Sequence, residues 1–168
     1  MRDQLKKRII YALFAALVMI FSPGIHARAE ENFTSDYSQH TFDEDEGFDS
    51  GEANCICQST SGYIWVGTDN GLYYQEGVIR QISAIDSSNS IADLIMDESG
   101  NLWIFGSRGI QKYYEGDLLS SAAPEGESYT KNDGLISGIS DNSTEYISAT
   151  GKVYVCCDQG LSVLDLNK

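Results

Sequence analysis

Beyond residue 52 the chain changes texture, from charged and polar to short apolar runs divided by turn residues. The runs are rich in aromatic and β-branched residues and bounded by Gly, Asn, Asp and Ser, which predicts strands. Ala53 to Gln58 reads as a first strand and Tyr63 to Thr68 as a second, with Ser59-Thr60-Ser61-Gly62 as the turn. Asp69-Asn70-Gly71 is a tight-turn signal, because Asn and Gly tolerate positive φ. Leu72 to Gln75 and Val78 to Ile82 follow as third and fourth strands on either side of Glu76-Gly77. Residues 53–82 are therefore expected to hold four antiparallel strands joined by short hairpins.

The order then recurs. Gly62, Gly100 and Gly151 are each followed after three residues by an aromatic (Trp65, Trp103, Tyr154) and after nine by a second glycine (Gly71, Gly109, Gly160). The copies are 38 and 51 residues apart. The longer interval contains Ser120 to Asn132, a polar stretch with Pro124 and Gly126, which reads as an inserted surface loop. A four-stranded unit repeating at about 40 residues is the signature of a β-propeller blade. One blade cannot bury its faces alone, so blades stack around an axis. The recurring aromatic is then a ring filling the space between adjacent sheets, and the glycines serve turns and close strand approach. Both are structural roles. The expected fold class is all-β, with blades over about 53–82, 91–119 and 134–168. Three blades fall short of the four to eight of a typical ring, so an incomplete ring is expected.

The N-terminus carries a separate signal. Arg2, Lys6, Lys7 and Arg8 precede a 13-residue apolar run from Ile9 to Phe21, and Ala27-Arg28-Ala29 gives a small-x-small site. This predicts a secretory signal peptide over 1–29, cleaved after Ala29. The alternative is retention as an N-terminal anchor, for which the run is shorter than the ~20 residues of a spanning helix. Residues 30–52, with Asp43-Glu44-Asp45-Glu46, read as an acidic solvated linker, in which Ser38 to Phe42 could add as an edge strand.

Residues 30–168 hold 6 Lys and Arg against 24 Asp and Glu, a net charge of −18. That charge repels phosphate polyanions, so nucleic acid is excluded as a partner. Cys55, Cys57, Cys156 and Cys157 form two close pairs. Export would allow disulfides, whereas the strand context favours small buried residues. Their spacing is poor for a metal, and His40 is the one histidine outside the signal segment. Asn32 and Asn142 head Asn-x-Ser/Thr patterns, which match the glycosylation acceptor.

Residues 56–72 closely resemble the two-component regulator propeller repeat: Ile56, Gly62, Ile64-Trp65-Val66-Gly67-Thr68 and Gly71-Leu72. Residues 94–110 keep Asp97, Gly100-Asn101-Leu102-Trp103-Ile104 and Gly109, with Phe105-Gly106-Ser107 in place of Gly-Thr. The third copy departs further, with Tyr154 for Trp and Cys156-Cys157 for Gly-Thr. Glu46-Gly47-Phe48 and Asp133-Gly134-Leu135 resemble the Asp-Gly-Leu that precedes a blade in that family. The resemblance implies the sensory start of an extracytoplasmic receptor. Further blades, a membrane span and a cytoplasmic histidine kinase or diguanylate cyclase would complete it. Its ligand would sit at the axial face, and a carbohydrate is the class implied. Tyr63, Tyr73, Tyr74, Tyr113 and Tyr114 are available to such a ligand, although inter-sheet packing is the commoner role of these rings. An exported surface-binding module without signalling output is the alternative. No catalytic, cofactor or metal residues can be nominated, and the chain is not expected to be an enzyme.

Overall fold

The computed structural model describes residues 38–49, 52–141 and 143–166. The chain divides into two compact units, residues 1–40 and 41–168. The expected signal segment 1–29 lies outside the described residues. Among the described residues no helix is long and apolar enough to cross a membrane.

The entry segment departs from expectation. Residues 38–43 form no strand, and a 3-10 turn follows at Glu44–Glu46. Asp43 caps the turn by accepting from the Asp45 N–H at 3.1 Å, and Gly47 closes it at φ 95°. A carboxylate that can cap its own backbone favours a turn over a ladder. The segment is also more than a solvated linker, because Phe42 and Phe48 pack on Val66, Tyr73 and Ile79. The same device recurs at Lys131–Asp133, capped by Thr130 and closed by Gly134 at φ 109°, with Leu135 where Phe48 stood. Both turns lead into the first strand of a sheet.

Three antiparallel sheets follow. The first is β1 (Ala53–Gln58), β2 (Ile64–Thr68), β3 (Gly71–Glu76) and β4 (Val78–Gln81), hydrogen-bonded in that order. The second is β5 (Ile91–Met96), β6 (Asn101–Gly106), β7 (Gly109–Tyr114) and β8 (Gly126–Tyr129), with a short helix α1 (Glu115–Ser120) between its last two strands. The third is β9 (Tyr146–Ile147), β10 (Lys152–Cys157) and β11 (Gly160–Asp165). These are four-stranded propeller blades with an incomplete third, and the ring is not closed.

The inserted loop expected over 120–132 is a correction. It contains β8, so the second blade runs to Tyr129 rather than ending at 119. Gly126 sits opposite Tyr113, where a Cβ would come within 2.3 Å of the ring. A strand chosen for closeness to an aromatic carries little strand propensity of its own.

Equivalent residues hold equivalent places. Ala53 pairs with Thr68, Ile91 with Gly106 and Ile139 with Cys157. Each of the first two first strands then bulges by one residue, at Asn54 and Ala92, before pairing resumes. In the third copy the interruption is longer and spans residues 140–145.

The core lies between sheets. Trp65, Leu72, Ile91, Leu94, Leu102 and Ile104 fill the first interface, and Trp103, Phe105, Ile110, Leu135, Val153 and Val155 the second. Trp65 and Trp103 are fully buried. Each withdraws about 150–250 Å² from water, a gross gain of roughly 4–6 kcal/mol before entropy is counted. Tyr154, the third ring of the series, is only half-buried and tilts against Tyr146. Its sheet exposes Tyr146, Leu161 and Val163, and Leu161 stands at the position of the buried Leu72 and Ile110.

Candidate axial binding site

The first strands β1 and β5 lie next to each other, which places the inner edge of the stack along them. At their starting ends the bulges turn two side-chain positions toward one cavity of about 320 Å³. Asn54 comes from the first bulge and Ala92 from the second. Asp141 comes from the interruption in the third copy, and Glu52, Asp69 and Ser90 complete the lining. All three repeat copies therefore contribute.

A small polar network fixes the wall. Asn54 Nδ2 donates to Asp69 Oδ1 at 3.0 Å and to the Ile91 carbonyl at 3.0 Å. Ser90 Oγ donates to the same Asp69 oxygen at 2.8 Å. The hydrogen bonds from Asn54 and Ser90 hold the Asp69 carboxyl below its usual range. Asp69 is thus ionised and pinned, while Glu52 and Asp141 add two further carboxylates. Among the described residues the lining holds no basic side chain and no aromatic. Such a surface accepts hydrogen bonds from hydroxyls or ammonium groups and repels anions.

Further along the inner strands lies a second polar group. The Glu145 backbone N–H donates to Asp93 Oδ2 at 2.7 Å, and Ser143 Oγ donates to Glu145 Oε1 at 2.8 Å. Glu145 is only 5% exposed, and its Oε2 has no hydrogen-bond partner among the described residues. Burial first, with Asp93 adding to it, pushes this carboxyl up to about 7. Burial likewise pushes the Cys55 and Cys57 thiols up to about 12, with Asp93 next in effect. Both stay protonated at neutral pH, which makes them poor nucleophiles and poor metal ligands. All four cysteines are free thiols, and Cys157 is buried. Among the described residues no group of three or more His, Cys, Asp and Glu is placed to hold a metal.

The five tyrosines do not converge. Tyr73 is fully buried and its hydroxyl donates to Asp49, and Tyr113 packs on the core between the first two sheets. Tyr74 tilts over Trp65, with ring centroids 5.7 Å apart. Tyr63 and Tyr114 line a different cavity, away from the axis. Sequence reasoning missed Asn54, Ser90 and Asp141. They are set by bulges and an interruption in strand pairing, at Asn54, Ala92 and after Ile139, which no single strand displays.

Residues 47–70 match the family model described as two component regulator propeller. This stretch is a propeller repeat of that family. It runs from Gly47, which closes the entry turn, through β1 and β2. Solved structures agree on the fold. The extracellular domain assigned to a hybrid two component system, BT3049, of B. thetaiotaomicron superposes with a TM-score of 0.61 at 20% identity. That match covers 76% of this chain and 17% of the other. The extracellular domain of BT4673 from the same organism gives 0.51 at 19% identity, over 67% of this chain and 15% of that one. PorZ, a surface component of the type-IX secretion system of Porphyromonas gingivalis, gives 0.53 at 13% identity, over 70% and 18%. The chain thus spans less than a fifth of the length of these structures. No curated protein matches the sequence.

Proposed function

We propose that this chain is the beginning of the ligand-sensing propeller of an exported bacterial receptor. The axial cavity would be part of its binding site. Signal peptide, further blades, membrane span and a histidine kinase or diguanylate cyclase output belong to the same proposal. The observation that carries it is the cavity itself, built by the bulges and the third-copy interruption rather than by the packing core. A repeat protein that only needs to stack its blades has no use for a pinned carboxylate between them. The pinned Asp69, the Asn54 amide and two further carboxylates suit a polyhydroxylated ligand such as a neutral oligosaccharide, whose hydroxyls can donate to them.

Binding, not turnover, is the proposed role, since a protonated thiol and a hydrogen-bonded Asp69 offer neither nucleophile nor base. Calorimetry with a panel of neutral oligosaccharides tests the reading on the 168-residue chain and on the product of the gene read beyond Lys168. Saturable binding that Asn54→Ala and Asp141→Asn both weaken supports it. Absence of any further blade, span or output domain in that gene would overturn the receptor. PorZ supports a second reading, an exported surface-binding module without output, because PorZ is a surface component of a secretion system. A wall-anchoring signal or a stop in place of a membrane span would favour that module.

A further inference from the structure

A cavity of about 300 Å³ lies at the opposite strand ends, between the turns of the first two sheets. Its walls include Thr60, Ser61 and Tyr63 from the first sheet, and Glu98, Tyr114 and Glu115 from the second. Among the described residues the lining holds no Lys, Arg or His. Glu115 is 7% exposed and fixed, since its Oε1 accepts from Trp65 Nε1 at 2.7 Å. Glu98 is exposed and makes no hydrogen bond among the described residues. Tyr63 lies in the negative field of Glu76, which raises its hydroxyl pKa more than its small desolvation does.

Tyr114 is the unusual member. It is 53% exposed, yet its ring is bracketed by two glycines. A Cβ on Gly100 would stand 3.3 Å from the ring edge, and one on Gly116 2.9 Å. An aromatic at the start of a helix could turn inward to bury itself. This one is held outward, over a cavity with two carboxylates.

The same sheet shows what such a setting accepts. Lys112 Nζ sits 5.2 Å over the centre of the Trp103 ring and 3.3 Å from Glu127 Oε1. Tyr129 stacks against Trp103, with ring centroids 6.2 Å apart. An ammonium is thus held between an indole and a carboxylate. The Tyr63–Tyr114 cavity offers the corresponding aromatic and carboxylate groups without an ammonium of its own.

We propose that this cavity is a second binding site, for a small organic ammonium ligand held by cation–π contact with Tyr114 and Tyr63 and by the carboxylates of Glu98 and Glu115. Glu115 is ready in place, Tyr114 supplies the fixed face, and Thr60 and Ser61 offer hydroxyls to the N–H groups. The site is independent of the axial one in position and in ligand class.

The test titrates the 168-residue chain with putrescine and with tetramethylammonium, read by NMR of the tyrosine rings, beside maltotriose as a neutral polyol. Saturable shifts of Tyr63 and Tyr114 with both amines are expected. Their affinity should fall roughly tenfold in Tyr114→Ala, by less in Glu98→Gln, and with added salt. Tyr146→Ala, on the third sheet, should leave it unchanged. Circular dichroism of each variant separates lost binding from lost fold. No saturable shift, equal affinity in Tyr114→Ala with the fold retained, or a response to maltotriose alone would overturn the proposal. Failure of oligosaccharides at the axial cavity would leave it standing.

Discussion

The indole of Trp65 donates its N–H to Glu115 of the next blade at 2.7 Å, whereas the indole of Trp103 donates to Asp97 of its own blade at 2.9 Å. The two tryptophans are repeat equivalents, and so are Asp97 and Ser59, each three residues before the blade glycine. Ser59 is too short to reach, and its buried Oγ has no partner among the described residues. The first blade has therefore moved its acceptor across the interface, to the first turn of α1. The hydrogen bond that satisfies the ring also ties two sheets together.

Removing that acceptor should cost stability. Glu115→Ala leaves a buried indole N–H unpaired, and a loss of about 1.5–3 kcal/mol is expected from urea unfolding. Glu115→Gln keeps a carbonyl acceptor and should cost less. Adding Ser59→Asp to Glu115→Ala restores the arrangement of the second blade and should recover part of the loss. The same Ser59→Asp change made alone, beside the intact Glu115 carboxylate, should destabilise.

Glu145 gives the fold a pH dependence. Its carboxyl is raised to about 7 by burial, with Asp93 beside it and Ser143 as its hydrogen-bond donor. The folded state therefore holds a proton that the unfolded chain releases near 4.5. The stability tied to this proton is fully present below the ordinary carboxylate range and is lost as pH rises through about 7. Thermal midpoints of the 168-residue chain should fall between pH 5 and pH 8, and Glu145→Gln should flatten that slope. The carboxyls lowered by hydrogen bonds or ion pairs, Asp69, Asp86, Asp97 and Glu127, act in the opposite sense at more acid pH.

Strands, turns and the recurring aromatic were legible because each is encoded locally. Asp69-Asn70-Gly71 announces a hairpin wherever it occurs, and Trp65 and Trp103 sit at one offset from their glycines. β8 was not legible, because Gly126-Glu127-Ser128-Tyr129 has no alternation and owes its place to Tyr113 across the sheet. Ser38 to Phe42 looked like a strand from its residues alone, but capping by Asp43 and burial of Phe42 and Phe48 decided otherwise. The axial site hid for a similar reason. A bulge is a mismatch of register between two strands, and neither strand shows it by itself.

The fourth strand of the second blade can be checked at Gly126. A methyl group there meets the Tyr113 ring at a distance no side chain tolerates, and the strand must move away or the ring must turn. Gly126→Ala should cost about 1–3 kcal/mol. Amide exchange should quicken at β8 and at the facing half of β7, while β5 and β6 keep their protection. Uniform quickening across the sheet would show that β8 is integral to the whole blade rather than an edge.

The third sheet presents the last test. Leu161, Val163 and Tyr146 are 60%, 50% and 63% exposed. Leu72 and Ile110, the equivalents of Leu161, are fully buried. An uncovered apolar sheet face binds hydrophobic dyes and other copies of itself. Leu161→Lys with Val163→Lys should lower dye fluorescence and self-association of the 168-residue chain, with little change in its unfolding midpoint, since these side chains are half out of contact. Leu161→Lys placed in a product that carries a further blade should instead be destabilising by several kcal/mol, on the order of the cost of burying one unpaired ammonium group. A neutral result in both settings would mean that the next blade does not use this face.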